Sequence, residues 1–129
     1  MPTIRRDIPK NFNLPRRINR LGELAYNLWW AWNPEARRLF FQIDPPLWDR
    51  VRHNPVAFLQ QLDRPKINAA MVDRNYLKLY DSVMSSFDEY LDAKDTHYSR
   101  TYPEYKDMDI AYFSFEFGLS ESVPVYAGG

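Results

Sequence analysis

The residues whose types and setting could do chemistry lie near the end of the sequence. Glu116 sits in the apolar run "IAYFSFEFG", where a carboxylate needs either a hydrogen-bond partner or a ligand. Gly128 and Gly129 follow shortly afterwards. Glycines beyond the end of a buried strand let backbone N–H groups approach a phosphate or a sugar, although an ordinary tight turn uses the same residues. Glu116, Gly128 and Gly129 are therefore the candidate binding residues, and a structurally satisfied Glu116 is the alternative.

A strand must position these candidates. In "DIAYFSFEFG" the side chains alternate, with Ile110 and Tyr112 on one face and Phe113 and Phe115 on the other. Both faces are largely apolar, which is typical of a strand covered on both sides in a parallel sheet. Because the sequence contains no second strand of this quality, we expect the partner strands to lie outside it. We predict that 109–129 is the first strand and the start of a glycine-rich ligand-binding loop in a larger α/β protein.

The sequence before that strand has helical character. Apolar positions from Ile18 to Trp32 follow helical spacing and predict one helix. A longer stripe that includes Tyr80, Val83 and Phe87 predicts a helix from Asp73 to Lys94, with Asp81 and Asp88 facing water. The stretches "NPEARRLFF", "DPPLWDRV" and "NPVAFLQQL" each begin with a capping residue followed by proline, which indicates a helix start. The segment between Asp63 and Lys66 is interpreted as a break.

The predicted organisation has four parts. Residues 1–15 form an extended lead-in, 16–95 a helical domain, 96–108 a polar linker, and 109–129 the truncated α/β part. The fold class is mainly α in this chain: a helical N-terminal domain followed by the first β-strand of an incomplete α/β domain.

Composition narrows the function classes. Lys plus Arg and Asp plus Glu both number 17, so the balanced charge argues against a nucleic-acid binder. The basic stretch that contains Arg16, Arg17 and Arg20 is interpreted as a solvated segment. No cysteine is present, and His53 and His97 are isolated, so we expect no metal site, with His53 at a helix end near the negative end of its dipole.

Membrane and export signals are not predicted. The run "LWWAW" is far shorter than the ~20 residues that span a bilayer, and the first ten residues lack the apolar core of a signal peptide. We therefore expect a cytoplasmic protein with no membrane partner.

Tryptophans raise a second binding possibility, because aromatic faces can stack on sugar rings. Trp29 and Trp32 continue the apolar stripe, so core packing is the favoured interpretation for both. Trp30 falls off the stripe and is the candidate interface or sugar-contact residue.

The stretch "IAYFSFEFGLSESVPVYAGG" resembles the segment that opens the first nucleotide-binding-like domain of α-glucan (glycogen or maltodextrin) phosphorylases. The stretch "LPRRINRLGELAYNLWWAWNPEARRLFFQIDPPLWDRV" is similar to the helical N-terminal domain of the bacterial and archaeal branch of that family. Together the two resemblances cover nearly the whole chain from Leu14 onwards.

The resemblance implies a fold and a function that the residue pattern alone does not. The incomplete α/β domain would be Rossmann-like (GT-B type). Such enzymes cleave the terminal α-1,4 bond of a glucan with inorganic phosphate, and their pyridoxal phosphate is held by a lysine in the C-terminal half, absent from this chain. It implies that Gly128 and Gly129 lie near the cofactor phosphate and glucosyl site, and Glu116 near the sugar. Many relatives have a histidine where this chain has Ser120, so that position receives no role.

The resemblance further implies that the partners are the remaining catalytic domains, the glucan and phosphate, with homo-oligomerisation left open. We expect this chain to be inactive alone. A hydrolase that pairs Glu116 with Glu121 is disfavoured, because Glu121 lies in a loop of unknown course. The alternatives kept are a fragment of a glycogen-synthase-type glycosyltransferase and a non-catalytic helical interaction module.

Overall fold

A computed structural model describes residues 12–105, 107, 108 and 111, and this part of the chain is mainly helical. The elements in chain order are a 3-10 turn at Arg16–Ile18, α1 Leu21–Ala25, α2 Trp29–Trp32, α3 Pro34–Phe41, α4 Pro45–Arg50, α5 Pro55–Gln61, α6 Arg64–Val72, α7 Arg74–Asp92, α8 His97–Thr101 and a 3-10 turn at Pro103–Tyr105. No strand occurs among the described residues. Of 109–129 only Ala111 is described, so the Rossmann-like start stays a prediction.

The helix starts use the caps that the sequence indicates. Asn54 accepts a hydrogen bond from the backbone N–H of Ala57 at 3.0 Å, and Asp44 accepts one from Leu47 at 3.1 Å. Asn33 has the extended backbone of a cap before Pro34, but its side-chain Nδ2 donates to the carbonyl of Trp29 at 2.6 Å. The predicted starts of α3, α4 and α5 are confirmed, while Asn33 caps through its backbone conformation only.

The continuous helix expected from Ile18 to Trp32 is wrong. The chain turns between α1 and α2, where the side chain of Asn27 accepts a hydrogen bond from the backbone N–H of Trp29 at 3.0 Å. A short polar side chain that bonds the backbone two residues on competes with helical hydrogen bonding and favours a turn. The apolar spacing therefore belongs to three short segments instead of one helix.

Two outcomes concern the second half of the bundle. The sequence predicts a break in helical structure from Asp63 to Lys66. Only Asp63 lies outside a helix, because α6 begins at Arg64 with Pro65 in its first turn, so the rest of that prediction is wrong. The long helix is confirmed as α7, where the Asp73 side chain accepts from the N–H groups of Asn75 and Tyr76.

The core is aromatic at its centre. Phe40 stacks on Trp48 with ring centroids 5.3 Å apart, and the ring of Phe58 meets both of them edge-on. Trp30 adds a further edge contact to Trp48 at 6.2 Å. Such pairs contribute about 0.5–1.5 kcal/mol beyond the burial of their area. The centroid geometry thus fixes how α2, α3, α4 and α5 meet.

Helix α7 closes the core with one face. Tyr76, Tyr80, Val83 and Phe87 are buried along it, as the apolar stripe predicts for Tyr80, Val83 and Phe87. The hydroxyl of Tyr76 donates to the carbonyl of Leu39, in the last turn of α3, at 3.0 Å. Carbonyls at a helix C-terminus lack intrahelical partners, so Tyr76 both packs and satisfies one of them.

Candidate functional site

The binding residues proposed from the sequence lie outside the described residues. This holds for Glu116, Gly128 and Gly129, and equally for Ser120 and Glu121. The roles assigned to the first three therefore stay predictions.

The tryptophans occupy different places from those expected. Trp30, the candidate interface residue, is 4% exposed and lies in the core, whereas Trp32, expected to pack inside, is 71% exposed. Trp29 is half-buried and packs on the ring of Phe87 at 5.2 Å. The interpretation is thus wrong for Trp30 and Trp32, because the turn at Asn27 rotates α2 relative to the stripe of α1.

Trp32 lies near other apolar side chains. Leu28, the residue before α2, is four residues from Trp32, and Trp29 is three, so helical spacing places the three on one side of this turn. The ring of Trp29 contacts that of Tyr90, in the last turn of α7, at 6.2 Å. Leu28, Trp32 and Tyr90 are all exposed. We call Leu28, Trp29, Trp32 and Tyr90 the Trp32 surface.

The polar groups that flank the Trp32 surface are already engaged by the backbone. Nδ2 of Asn33 donates to the carbonyl of Trp29, and Nη1 of Arg37 donates to the carbonyl of Ala31 at 2.6 Å. Specific small-molecule sites combine apolar walls with converging polar groups. At this surface the described contacts direct those two side chains to the helix instead of outwards.

A second feature is an ion-pair network between the N-terminal segment and α7. Arg20 binds both carboxylate oxygens of Asp88, at 3.0 and 2.6 Å, and also binds Glu23 at 3.0 Å. Arg17 binds Asp81 at 2.7 Å and lies over the ring of Tyr80. The basic stretch therefore anchors the segment to α7, and is not merely solvated.

The electrostatics of the network follow from these contacts. The hydrogen bonds to Asp88 and Glu23 raise the pKa of Arg20, and the hydrogen bond from Arg20 lowers the pKa of the Asp88 carboxyl. The expectation that Asp81 and Asp88 face water agrees with their side-chain exposures of 61% and 49%, but the sequence analysis did not predict their pairing with arginines. The sequence does contain a hint of this pairing. The two aspartates are seven residues apart and share one face of α7, and the two arginines are three residues apart.

A small cleft opens beside α6 and α7. It holds about 90 Å³ and includes Lys66, Asp73 and Tyr76 in its lining. Ligand pockets usually measure roughly 300–1,000 Å³. Asp73 is occupied as the cap of α7, and the Tyr76 hydroxyl donates to Leu39, while burial raises the pKa of Tyr76. These polar groups serve the fold.

His53 lies just beyond α4, as expected. Its Nε2 is 3.0 Å from Oδ1 of Asp49, and its ring stacks on Trp48 at 5.2 Å. Both Arg52 and His53 have positive φ, which closes the helix end in the left-handed conformation. His53 is thus a capping and packing residue.

Metal and cofactor chemistry can be tested on the described residues alone. They contain no cluster of three or more His, Cys, Asp or Glu side chains suited to a metal ion. Lys66, Lys78 and Lys94 are all exposed, and no charged side chain in this part is buried. None of these lysines fits the enclosed attachment of pyridoxal phosphate. No described helix is long and apolar enough to cross a membrane.

Comparison with known proteins assigns the family. Residues 14–123 match a family described as "Protein of unknown function (DUF3417)", and the chain belongs to this family. No solved structure gives a significant match.

Curated relatives carry phosphorylase names. The chain is 34% identical over 116 residues to the maltodextrin phosphorylase of Thermococcus litoralis, covering 90% of the chain and 14% of that protein. It is 33% identical over 126 residues to the glycogen phosphorylase of Mycobacterium tuberculosis, covering 91% of the chain and 14% of that protein. It is 36% identical over 109 residues to the glycogen phosphorylase of Aquifex aeolicus, covering 84% of the chain and 15% of that protein. The resemblance to α-glucan phosphorylases is confirmed, and the chain spans 14–15% of the length of these relatives.

Proposed function

We propose that this chain is the N-terminal part of an α-glucan phosphorylase. The full-length protein would release glucose 1-phosphate from the terminal α-1,4 bonds of glycogen or maltodextrin, in the cytoplasm. The observation that carries the proposal is the match of about 90% of the chain to proteins named for this activity.

The described residues contribute support, not catalysis, in this proposal. Their polar side chains act as caps, ion pairs and a core hydrogen bond. The pyridoxal phosphate, which supplies a proton-relaying phosphate when bound, would be held by a lysine in the remainder of the enzyme, as the family resemblance implies. Gly128, Gly129 and Glu116 are proposed to lie near the cofactor phosphate and the sugar. The proposed partners are the remaining domains, the glucan and phosphate, and a second subunit is left open.

Activity assays on the full-length protein test the proposal. With maltodextrin, inorganic phosphate and pyridoxal phosphate, we expect glucose 1-phosphate, and none when phosphate is omitted. The 129-residue chain should produce none under the same conditions.

Three other results would contradict it. Glucose released without phosphate would indicate a hydrolase, and glucan extension from a nucleotide sugar a synthase-type glycosyltransferase. Absence of any glucan-dependent reaction in folded, cofactor-loaded full-length protein would favour the helical interaction module.

A further inference from the structure

The Trp32 surface holds Trp32, the most exposed aromatic side chain of the described residues. Trp32, Leu28 and Tyr90 are 71%, 38% and 50% exposed, and Trp29 joins them through its ring contact with Tyr90. Exposed apolar residues scattered singly are normal, but contiguous ones mark an interaction site. None of the four side chains carries a charge, so the complementary surface is an apolar one.

The position of this surface indicates what covers it. Tyr90 lies in the last turn of α7, which ends at Asp92. After that point α8 and the final 3-10 turn bury none of their residues. The chain covers only 14–15% of its relatives' length, so most of the polypeptide of such a protein is not included here.

We propose that the Trp32 surface is the docking site for the polypeptide that follows Met108 in the full-length protein. This inference rests on the proposed function, since it requires the larger protein. The linkage favours that occupant, because a segment tethered next to the surface is present at a high effective concentration. Trp32 would be the anchor, as large aromatic side chains dominate the centres of protein interfaces.

Two other occupants fit these observations less well. A glucan could stack on Trp32, but Nδ2 of Asn33 and Nη1 of Arg37 already donate to backbone carbonyls instead of facing a sugar. A second copy of the chain could cover the surface, but it lacks the tether. Both become outcomes of the test.

Hydroxyl-radical oxidation of the unmodified full-length protein, read by mass spectrometry, is the direct test. Trp30 and Trp48 are buried standards with the same intrinsic reactivity. If the site is docked, Trp32 is oxidised at the rate of these two. If it is free, exposures of 71% and 4% for Trp32 and Trp30 imply oxidation more than about tenfold faster, which would overturn the proposal.

Two further conditions, added maltodextrin and dilution, distinguish the following polypeptide from a glucan and from a second copy of the chain. Protection of Trp32 that requires added maltodextrin, or that disappears when an oligomer dissociates on dilution, would overturn the proposal in favour of a glucan or a second copy. Protection that persists in the monomer without glucan supports it.

Matched variants add an independent readout. In the full-length protein, Trp32→Lys should raise the oxidation of Tyr90 about twofold or more, because the docked polypeptide is displaced. Val72→Lys, at an 81% exposed position ending α6, should leave Tyr90 unchanged. Equal effects of the two variants would contradict the proposal. The oxidation measurement does not depend on enzyme activity. The docking proposal and the proposed function can therefore fail separately: an inactive protein can still show protection of Trp32, and an active protein can lack it.

Discussion

Phe87 of α7 is 1% exposed, whereas Tyr102, after α8, is 47% exposed. These residues belong to two regions, the bundle of residues 12–92 and the outer stretch of residues 93–105, 107 and 108. Both regions contain several aromatic side chains and helical turns. In the bundle, the aromatic rings of α2 to α5 and α7 form one core. In the outer stretch, Tyr98 contacts Tyr102 at 5.6 Å, yet no residue of α8 is buried.

The difference teaches how each region is held. Thr96 and Ser99 form a capping box at the start of α8, so local hydrogen bonds alone specify that helix. A helix of this length is marginal in water without tertiary packing. The bundle is held by long-range burial, whereas the outer stretch leaves Tyr102 and Tyr105 exposed.

The largest expected effect breaks the bundle at its aromatic centre. Phe58→Ala removes a fully buried ring that meets Phe40 and Trp48, and should destabilise the 129-residue chain by about 3–5 kcal/mol. The matched change in the outer stretch, Tyr102→Ala, should stay within about 0.5 kcal/mol. Urea unfolding followed by circular dichroism measures both. Similar costs for the two variants would show that the outer stretch is packed like the bundle.

A smaller effect tests the hydrogen bond between α7 and α3. Tyr76→Phe keeps the packing but leaves the carbonyl of Leu39 without its hydroxyl donor, which should cost about 1–2 kcal/mol. Tyr98→Phe in α8 is the control, and we expect no measurable change. Urea unfolding measures both variants. An unchanged urea midpoint for Tyr76→Phe would show that this hydrogen bond contributes nothing to stability.

The smallest effect is the pH dependence of the pair between Arg20 and Asp88. The pKa of Asp88 is lowered from 3.8 by Arg20, so the pair stabilises the folded state above that value. This contribution is lost as the pH falls through the lowered pKa. Asp88→Asn should therefore lower the urea midpoint at pH 7, and the difference from the unmodified chain should shrink towards pH 3.

The outer stretch supplies the control for that prediction. Asp95 lies 3.5 Å from Arg100, with both side chains largely exposed, and Asp95→Asn should leave the midpoint unchanged at either pH. A pH-independent deficit in Asp88→Asn would mean that charge pairing is not what the variant removes.

The sequence predicted the elements that are specified locally. Helix α7 is long enough for its apolar stripe to be unambiguous, and Asp73 marks its start. Asn54 and Asp44 likewise cap helices that begin with proline, because a short polar side chain followed by a ring-constrained residue satisfies the first N–H groups of a helix. The family resemblance was also readable from motifs, without any knowledge of packing.

Only the tertiary structure decided which tryptophan is covered. Apolar spacing predicts which residues share a face only where the helix is continuous. The turn at Asn27 interrupts the helix, so α2 presents different residues to the core than the spacing from α1 predicts. Trp30 therefore enters the core and Trp32 is exposed, the reverse of what the spacing predicts. The pairing of Arg20 with Asp88 was equally hidden, because it joins residues far apart in sequence. Local chemistry determines where helices begin, whereas the way they pack determines which faces remain for binding.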